Sequence, residues 1–136
     1  MKSIVPVFAC ACLVSPVQAQ QQSPPASPPQ FVLREVTGNL PKADQLEVRV
    51  RNSTIQPGSI GEWHTHAMPP VVYVLEGTLS VEVKDKETIH HKAGEATIEP
   101  INTVIRATNQ GQTPVKLVIF QVSPPDVPFS HPAPKH

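Results

Sequence analysis

Two histidines separated by one residue constrain this chain more than any other feature. His64 and His66 precede an apolar run that closes at Gly77. In an extended segment, alternate side chains project from the same face, and their Cα atoms lie roughly 6.5–7 Å apart. Two imidazoles placed in this way can converge on one metal ion, which lies about 2 Å from each nitrogen. The stretch therefore predicts a strand that carries a candidate metal or ligand site.

The middle of the chain alternates apolar and polar residues in short segments that are separated by turn residues. Residues 45–51 alternate with Leu46, Val48 and Val50 on one face, which predicts a half-buried strand. Residues 71–76 present apolar side chains on both faces and are expected to form a central strand. No window of the sequence has sustained helical periodicity. Eight or more short strands at this spacing predict an all-β fold, either a sandwich or a small barrel.

The first 19 residues have the order of a secretory signal peptide. Lys2 supplies a positive start, residues 4–14 form a short apolar run, and Ala19 ends a small-residue cleavage site. The apolar run is too short to span a bilayer. The sequence therefore predicts a periplasmic or secreted protein that is cleaved after Ala19 and begins at Gln20.

Both cysteines of the chain, Cys10 and Cys12, lie inside this signal segment. The mature chain is therefore expected to contain no disulfide, so its stability depends on packing. A lipoprotein in which one of these cysteines carries the lipid is the alternative, although the residues before each cysteine fit the usual pattern badly.

Proline-rich segments bound the domain. The chain has 17 prolines, which cluster at its two ends and in the turns. Residues 20–30 are predicted to be a flexible spacer, and residues 123–136 a loose C-terminal tail. The residues between them, 31–122, have room for one domain with a modest core.

The charge balance excludes two classes of partner. The chain has 11 basic and 11 acidic residues and no basic run. Nucleic acid and anionic membrane surfaces are therefore poor candidate partners. A homodimer is expected, in which residues 31–36 add to the sheet of a neighbouring subunit and cover an edge prone to aggregation.

Two spaced motifs give the domain a family resemblance. The first cupin motif is glycine, five residues, His-x-His, three or four residues, glutamate, six residues and glycine. The second is glycine, five residues, proline, x, glycine, two residues, histidine, three residues and asparagine. The matching positions in this chain are Gly58, His64, His66 and Gly77 for the first motif, and Gly94, Pro100 and Asn109 for the second. Residues 31–122 therefore resemble a single-domain cupin of type 2, which implies a double-sheet β-barrel.

The resemblance is incomplete where a cupin would hold its metal. Cupin metal sites resemble a cluster of three histidines and one glutamate. The glutamate position here holds Pro70, or Val71 with the longer spacing, and the histidine position of the second motif holds Ile105. Only His64 and His66 match. They are interpreted either as the polar lining of an apolar pocket or as ligands of one divalent transition metal whose third ligand the sequence does not reveal.

Other residues around the histidines are candidates for the site. Met68 could add a thioether, a ligand that suits copper, if the strand continues that far. Trp63 and Tyr73 flank the histidines and are expected to line the mouth of the barrel. Ile105 is expected to lie across the cavity from the histidines and to form an apolar wall.

Two functions remain from these observations. The chain has no Gly-x-Ser-x-Gly elbow, phosphate-binding glycine loop or mature cysteine, so nothing supports nucleophilic catalysis. Glu62, Glu76 and Glu99 have no pairing that the sequence shows. The first of the two functions is small-molecule binding: an exported cupin holds a small molecule in its barrel, with or without a weakly held metal. The alternative is a metal-dependent enzyme of the dioxygenase or isomerase type.

The order of the signal segment generates a prediction about processing. Mass spectrometry of the exported protein is expected to give an N-terminus at Gln20 and no lipid, because the segment ends in a small-residue cleavage site. A chain that keeps its full length, or one that begins at an acylated Cys10 or Cys12, contradicts the prediction.

Overall fold

Two antiparallel β-sheets make up the part of the chain that the structure, a computed structural model, describes, which is residues 26–134. The predicted signal peptide and the start of the spacer lie outside the described residues. The strands are β1 (Glu47–Ile55), β2 (His64–Thr65), β3 (Val71–Glu76), β4 (Thr78–Val83), β5 (Ile89–Lys92), β6 (Ala96–Ile98), β7 (Ile105–Thr108), β8 (Val115–Ser123) and β9 (His131–Pro132). The predicted all-β, double-sheet architecture is confirmed.

One sheet has four strands in the order β1-β8-β3-β6, and the other has five in the order β5-β4-β7-β2-β9. The core lies between their inner faces and consists of aliphatic side chains from β3, β4, β7 and β8. Its buried members are Val72, Val74, Leu79, Val81, Val83, Ile105, Val115, Leu117 and Ile119. Each such side chain contributes about 1.5–3 kcal/mol on burial. No helix among residues 26–134 is long and apolar enough to cross a membrane.

Gly77 joins the two sheets after the apolar run. Its φ is 80°, a left-handed conformation that favours glycine, and a Cβ there would lie 2.9 Å from the carbonyl oxygen of Pro114. The glycine that closes the first motif is therefore required both by its backbone conformation and by the close approach of a second chain segment.

The alternation of β1 is present, but its polar face points inward. Val48 and Val50 are 62% and 63% exposed, whereas the prediction of a half-buried strand implies that they are buried. The pairing of β1 with β8 explains the difference. Arg51 stands opposite Ile119, whose side chain is in the core, and Val50 stands opposite the partly exposed Phe120. Since directly paired residues share a face, Arg51 faces the interior.

The outer face of the four-stranded sheet is consequently apolar and exposed. Val48, Val50 and Phe120 lie on it together. Residues 26–46, the described part of the segment before β1, are also largely exposed and contain no strand, so the barrel begins at Glu47 rather than at residue 31. Phe31 and Val36 are among its large exposed apolar side chains. Apolar surface of this kind commonly marks an interaction site.

The prediction of a loose C-terminal tail is wrong for the described residues. β8 extends to Ser123, and residues 124–134, which we name the C-terminal strap, cross from one sheet to the other and pair with β2 as β9. Arg49 donates hydrogen bonds to the carbonyls of Pro125 and Val127. The prolines that suggested a loose tail are compatible with this path, because β9 is an edge strand and needs few backbone donors.

Candidate metal centre

Strand β2 and the residue after it bring two imidazoles together. The Nε2 atoms of His64 and His66 lie 3.1 Å apart, and the rings meet edge to face with their centroids 4.8 Å apart. β2 pairs with β7 through His64 and Ile105, and His66 forms a bridge with Ile101. The extended backbone from residue 64 to residue 66 therefore points both side chains into the same space.

Hydrogen bonds at the opposite ring nitrogens determine the tautomers. His64 Nδ1 lies 2.9 Å from the carbonyl oxygen of Glu62, and His66 Nδ1 lies 2.8 Å from that of Phe129. A carbonyl oxygen only accepts hydrogen bonds, so each Nδ1 carries the proton. In the neutral ring, each Nε2 is then unprotonated and presents a lone pair. Two lone pairs at this distance repel unless a proton or a metal ion lies between them. The pair is therefore arranged for a cation.

Glu99 supplies the third ligand, which the sequence did not reveal. Its Oε2 lies 3.1 Å from His66 Nε2, and the donor atoms of His64, His66 and Glu99 all lie within 4.8 Å of one another. The group is well shielded, since His66 is 1% and Glu99 8% exposed.

The backbone explains why Glu99 reaches this position. Its N–H donates to the carbonyl of Pro70 at 3.0 Å, which continues the pairing of Val71 with Ile98 across β3 and β6. Pro70 occupies the glutamate position of the first motif. The carboxylate therefore enters from the neighbouring strand, beside the residue that replaces the expected ligand. Only the position of Glu99 directly before Pro100 of the second motif could have drawn attention to it.

The donor set fits a first-row transition metal. Two imidazole nitrogens and a carboxylate are the ligands of mononuclear non-haem iron sites, which keep other positions open. Donors that each bind a metal at about 2.1 Å lie about 3.0 Å apart when they meet at a right angle, and about 3.4 Å apart in a tetrahedron. The two separations that involve His66 Nε2 are both 3.1 Å and are nearer to the first value, and the third, between His64 and Glu99, lies within 4.8 Å.

A cavity of about 120 Å³ lies beside the three ligands. Its wall is apolar except for one side, where β1 contributes Arg51 and Ser53. A second, outer cavity of about 740 Å³ shares His64 with the first and is otherwise bordered by residues such as Trp63 and Pro132. His64 therefore stands between an open outer space and the small inner one.

Met68 does not occupy its predicted place, whereas Trp63 does line a cavity beside His64. β2 ends at Thr65 and the chain bends at Met68, so the continued strand that a thioether ligand requires is absent. The carbonyl of Met68 instead accepts a hydrogen bond from Gln121. Trp63 lines the outer cavity, as expected of a residue at the mouth, and the guanidinium of Arg106 lies 4.3 Å from its ring centroid.

Tyr73 and Ile105 also differ from the prediction. Tyr73 alternates with Val72, which lines the inner cavity, so its side chain is on the outer face of β3. Ile105 is fully buried in the core and stands directly opposite His64 on β7, beside the histidine rather than across the cavity. The motif alignment therefore located this position on the inner side near the site, but beside His64 rather than across the cavity from it.

The middle of the sequence matches a known family. The model of the cupin domain family matches residues 52–121, which is about half of the chain and includes His64, His66 and Glu99. The protein belongs to the cupin family, as the two motifs predicted. Comparison with curated proteins finds no match.

Solved structures share the fold at low identity. A protein with a double-stranded β-helix domain from Klebsiella pneumoniae is 20% identical, with a TM-score of 0.56 over 71% of this chain and 92% of that chain. The polyketide cyclase RemF from Streptomyces resistomycificus is 18% identical, with a TM-score of 0.56 over 65% and 62%. The DMSP lyase DddQ from Ruegeria pomeroyi is 13% identical, with a TM-score of 0.51 over 63% and 42%. These similarities establish the fold.

The position of Ile105 generates a prediction. Ile105→His would place a third imidazole directly opposite His64, where paired Cβ atoms lie about 4.5–5.5 Å apart. Loss of a buried isoleucine is expected to destabilise the metal-free variant by about 2–4 kcal/mol. Zinc is expected to offset this loss by about 2.7 kcal/mol at a hundredfold excess over its dissociation constant. Thermal melting and calorimetric titration of both proteins measure the two effects. Equal zinc affinity in parent and variant would show that the side chain at position 105 does not reach the metal.

Proposed function

We propose that this protein is a metal-dependent cupin enzyme in which His64, His66 and Glu99 hold one divalent first-row transition metal. The observation that carries the proposal is the convergence of two imidazole lone pairs and one buried carboxylate within 4.8 Å. With only two ligands visible, the sequence favours a small-molecule binding protein, with or without a weakly held metal, over an enzyme. The third ligand removes the reason for that preference, because two histidines and a carboxylate make a complete set.

The surroundings of the ligands support a reaction at the metal rather than a structural role for it. A structural zinc site is closed by four protein ligands, whereas three protein ligands leave positions for a substrate. When bound, such a metal supplies Lewis acidity and open coordination positions. The carbonyls of Glu62 and Phe129 hold the two rings in the ligating tautomer, and the apolar wall of the inner cavity limits water. A dioxygenase-type activity fits this ligand set best. The lyase and cyclase among the similar structures are examples of the fold in enzymes.

The signal segment and the neutral charge balance support an exported location for this activity. We therefore place the proposed enzyme in the periplasm or outside the cell, with a small molecule as its substrate.

Metal analysis tests the proposed centre. The mature protein, purified without a histidine tag, is expected to contain one transition metal per chain after reconstitution with iron, manganese, zinc, nickel or copper. His64→Ala and His66→Ala should lose it. Glu99→Gln keeps the shape of the side chain and should lower metal affinity by more than the roughly tenfold typical of an outer-shell change. Elemental analysis and calorimetry provide the measurements.

A control variant distinguishes the centre from surface binding. His91→Ala removes a histidine of β5 that is not part of the cluster, and its metal content should equal that of the parent. The absence of metal from the parent under all five reconstitutions, or an equal loss in the control, contradicts the proposed centre.

We also propose that the protein is a homodimer in which a second copy covers the exposed apolar face. Two apolar surfaces support this: Val48, Val50 and Phe120 on the outer sheet, and the exposed segment before β1. Residues 31–36 of one subunit are the proposed occupant of the other subunit's sheet. Burial of both surfaces in one interface would remove them from water at the same time.

Light scattering tests the dimer. The mature protein should have the mass of two chains, whereas a variant that starts after Gly38 and the variant Val50→Glu should each have the mass of one. Glu87→Gln, in the exposed turn before β5, is the matched surface control and should remain dimeric. A monomeric parent, or a dimer that survives both changes, contradicts the proposal.

A further inference from the structure

Arg51 brings a positive charge to the inner cavity, and the proposed metal centre does not use it. Among residues 26–134, it is the only lysine or arginine that borders this space. It faces inward because β1 pairs with β8 so that Arg51 stands opposite Ile119. Arg51 remains solvent-exposed, so its guanidinium lies at the open side of the cavity, where a ligand that enters can meet it.

The structure describes no acidic partner for this guanidinium. Among the described residues, none of the ion pairs with N–O distances up to 4.0 Å includes Arg51. Instead, its Cζ lies 3.6 Å from the ring centroid of Phe129, in the C-terminal strap. Stacking against a ring fixes the plane of a guanidinium and leaves the N–H donors at its edge available.

The strap connects this cation to the metal centre. The Phe129 carbonyl accepts the hydrogen bond from His66 Nδ1, and the Phe129 ring also meets the His66 ring edge to face at 5.2 Å between centroids. Phe129 therefore orients both His66, a proposed metal ligand, and Arg51, and both residues line the same cavity. A molecule between them would meet the metal at one end and Arg51 at the other.

Charge and size define the class of that molecule. Glu99 is the only carboxylate that borders the cavity among the described residues, and it is engaged with His66. An anion near Arg51 therefore meets a cation without a competing acid beside it. Ser53 adds a hydroxyl from the same face of β1, and the opposite wall is aliphatic, including Val72 and Leu79. The cavity volume of about 120 Å³ corresponds to about four waters at about 30 Å³ each.

We propose that Arg51 and Ser53 bind the carboxylate of a small aliphatic acid whose other end reaches the metal centre. This inference rests on the proposed function for the role of the metal, but the carboxylate contact itself requires only the folded chain. A guanidinium binds a carboxylate through two parallel N–H donors. Arg51 is thus a specificity-determining residue that selects anionic over neutral substrates.

Butyrate, butyramide and inorganic phosphate are suitable probes, because the first two differ in charge and hardly in shape. Each is titrated into the mature protein, with and without zinc, and binding is followed by NMR chemical-shift changes. Butyrate should bind at least tenfold more tightly than butyramide. Arg51→Met should lower butyrate affinity by about tenfold or more while leaving butyramide unchanged, and Arg51→Lys should have an intermediate effect. Lys86→Met, which removes an exposed cation from the turn before β5, should leave all three affinities unchanged.

The outcomes separate this inference from the proposed function. Zinc affinity should be as high in Arg51→Met as in the parent, since Arg51 is not a ligand, and far-UV circular dichroism should show that the variant is folded. If the parent binds no metal but butyrate binding still depends on Arg51, the proposed centre fails and the anion site stands. If butyrate binds equally to the parent and to Arg51→Met, the inference is overturned whatever the metal result. Phosphate binding that depends on Arg51 and exceeds that of butyrate overturns the assignment to a carboxylate.

Discussion

The hydrogen bond from His66 Nδ1 to the carbonyl oxygen of Phe129 is the interaction on which the rest of the site depends. It fixes the tautomer that leaves His66 Nε2 free, and it ties the C-terminal strap to the middle of the barrel. The same carbonyl also accepts from the buried side chain of Gln121 at 3.2 Å. A partly buried acceptor with two donors resists reorientation, because turning it away would break both hydrogen bonds. The imidazole is thus held by two elements, β8 and the strap.

The carboxylate of the site illustrates how an antiparallel sheet can substitute one residue for another. Adjacent strands lie about 4.8 Å apart, which is nearer than the roughly 6.5–7 Å between alternate residues along one strand. Pro70 and Glu99 are neighbours across β3 and β6, so a side chain on either strand can enter the same space. A ligand that the first motif lacks is therefore supplied by the second. Each motif alone looks deficient, whereas the pair provides three ligands.

Sequence reasoning predicted what depends on local pattern. The alternation of short segments gave the all-β fold, and the spacing of the two motifs gave the family. Convergence of His64 and His66 likewise depends only on their separation of two residues in an extended backbone. These features require no knowledge of which strands are neighbours.

Features that depend on strand pairing could not be predicted in this way. Glu99 becomes a ligand because β6 lies beside β3. The arginine face of β1 points inward because Arg51 is paired with Ile119, although the rule that apolar residues are buried gives the opposite face. Composition alone made the C-terminal strap look unstructured, since the partners of Pro125 and Val127 are on Arg49, more than seventy residues earlier in the chain. Information about these contacts is spread over the whole sequence.

The separation between His66 and Phe129 in the chain has a consequence for the order of events during biosynthesis. The two residues are 63 positions apart, and Phe129 lies close to the end of the chain. During synthesis from the N-terminus, both histidines leave the ribosome long before the carbonyl that selects their ligating form exists. Contacts between such distant residues also form late, because a long loop must close first. The ordered cluster therefore forms only after the strap has been made, and a metal ion present earlier would meet histidines whose tautomers are not yet fixed.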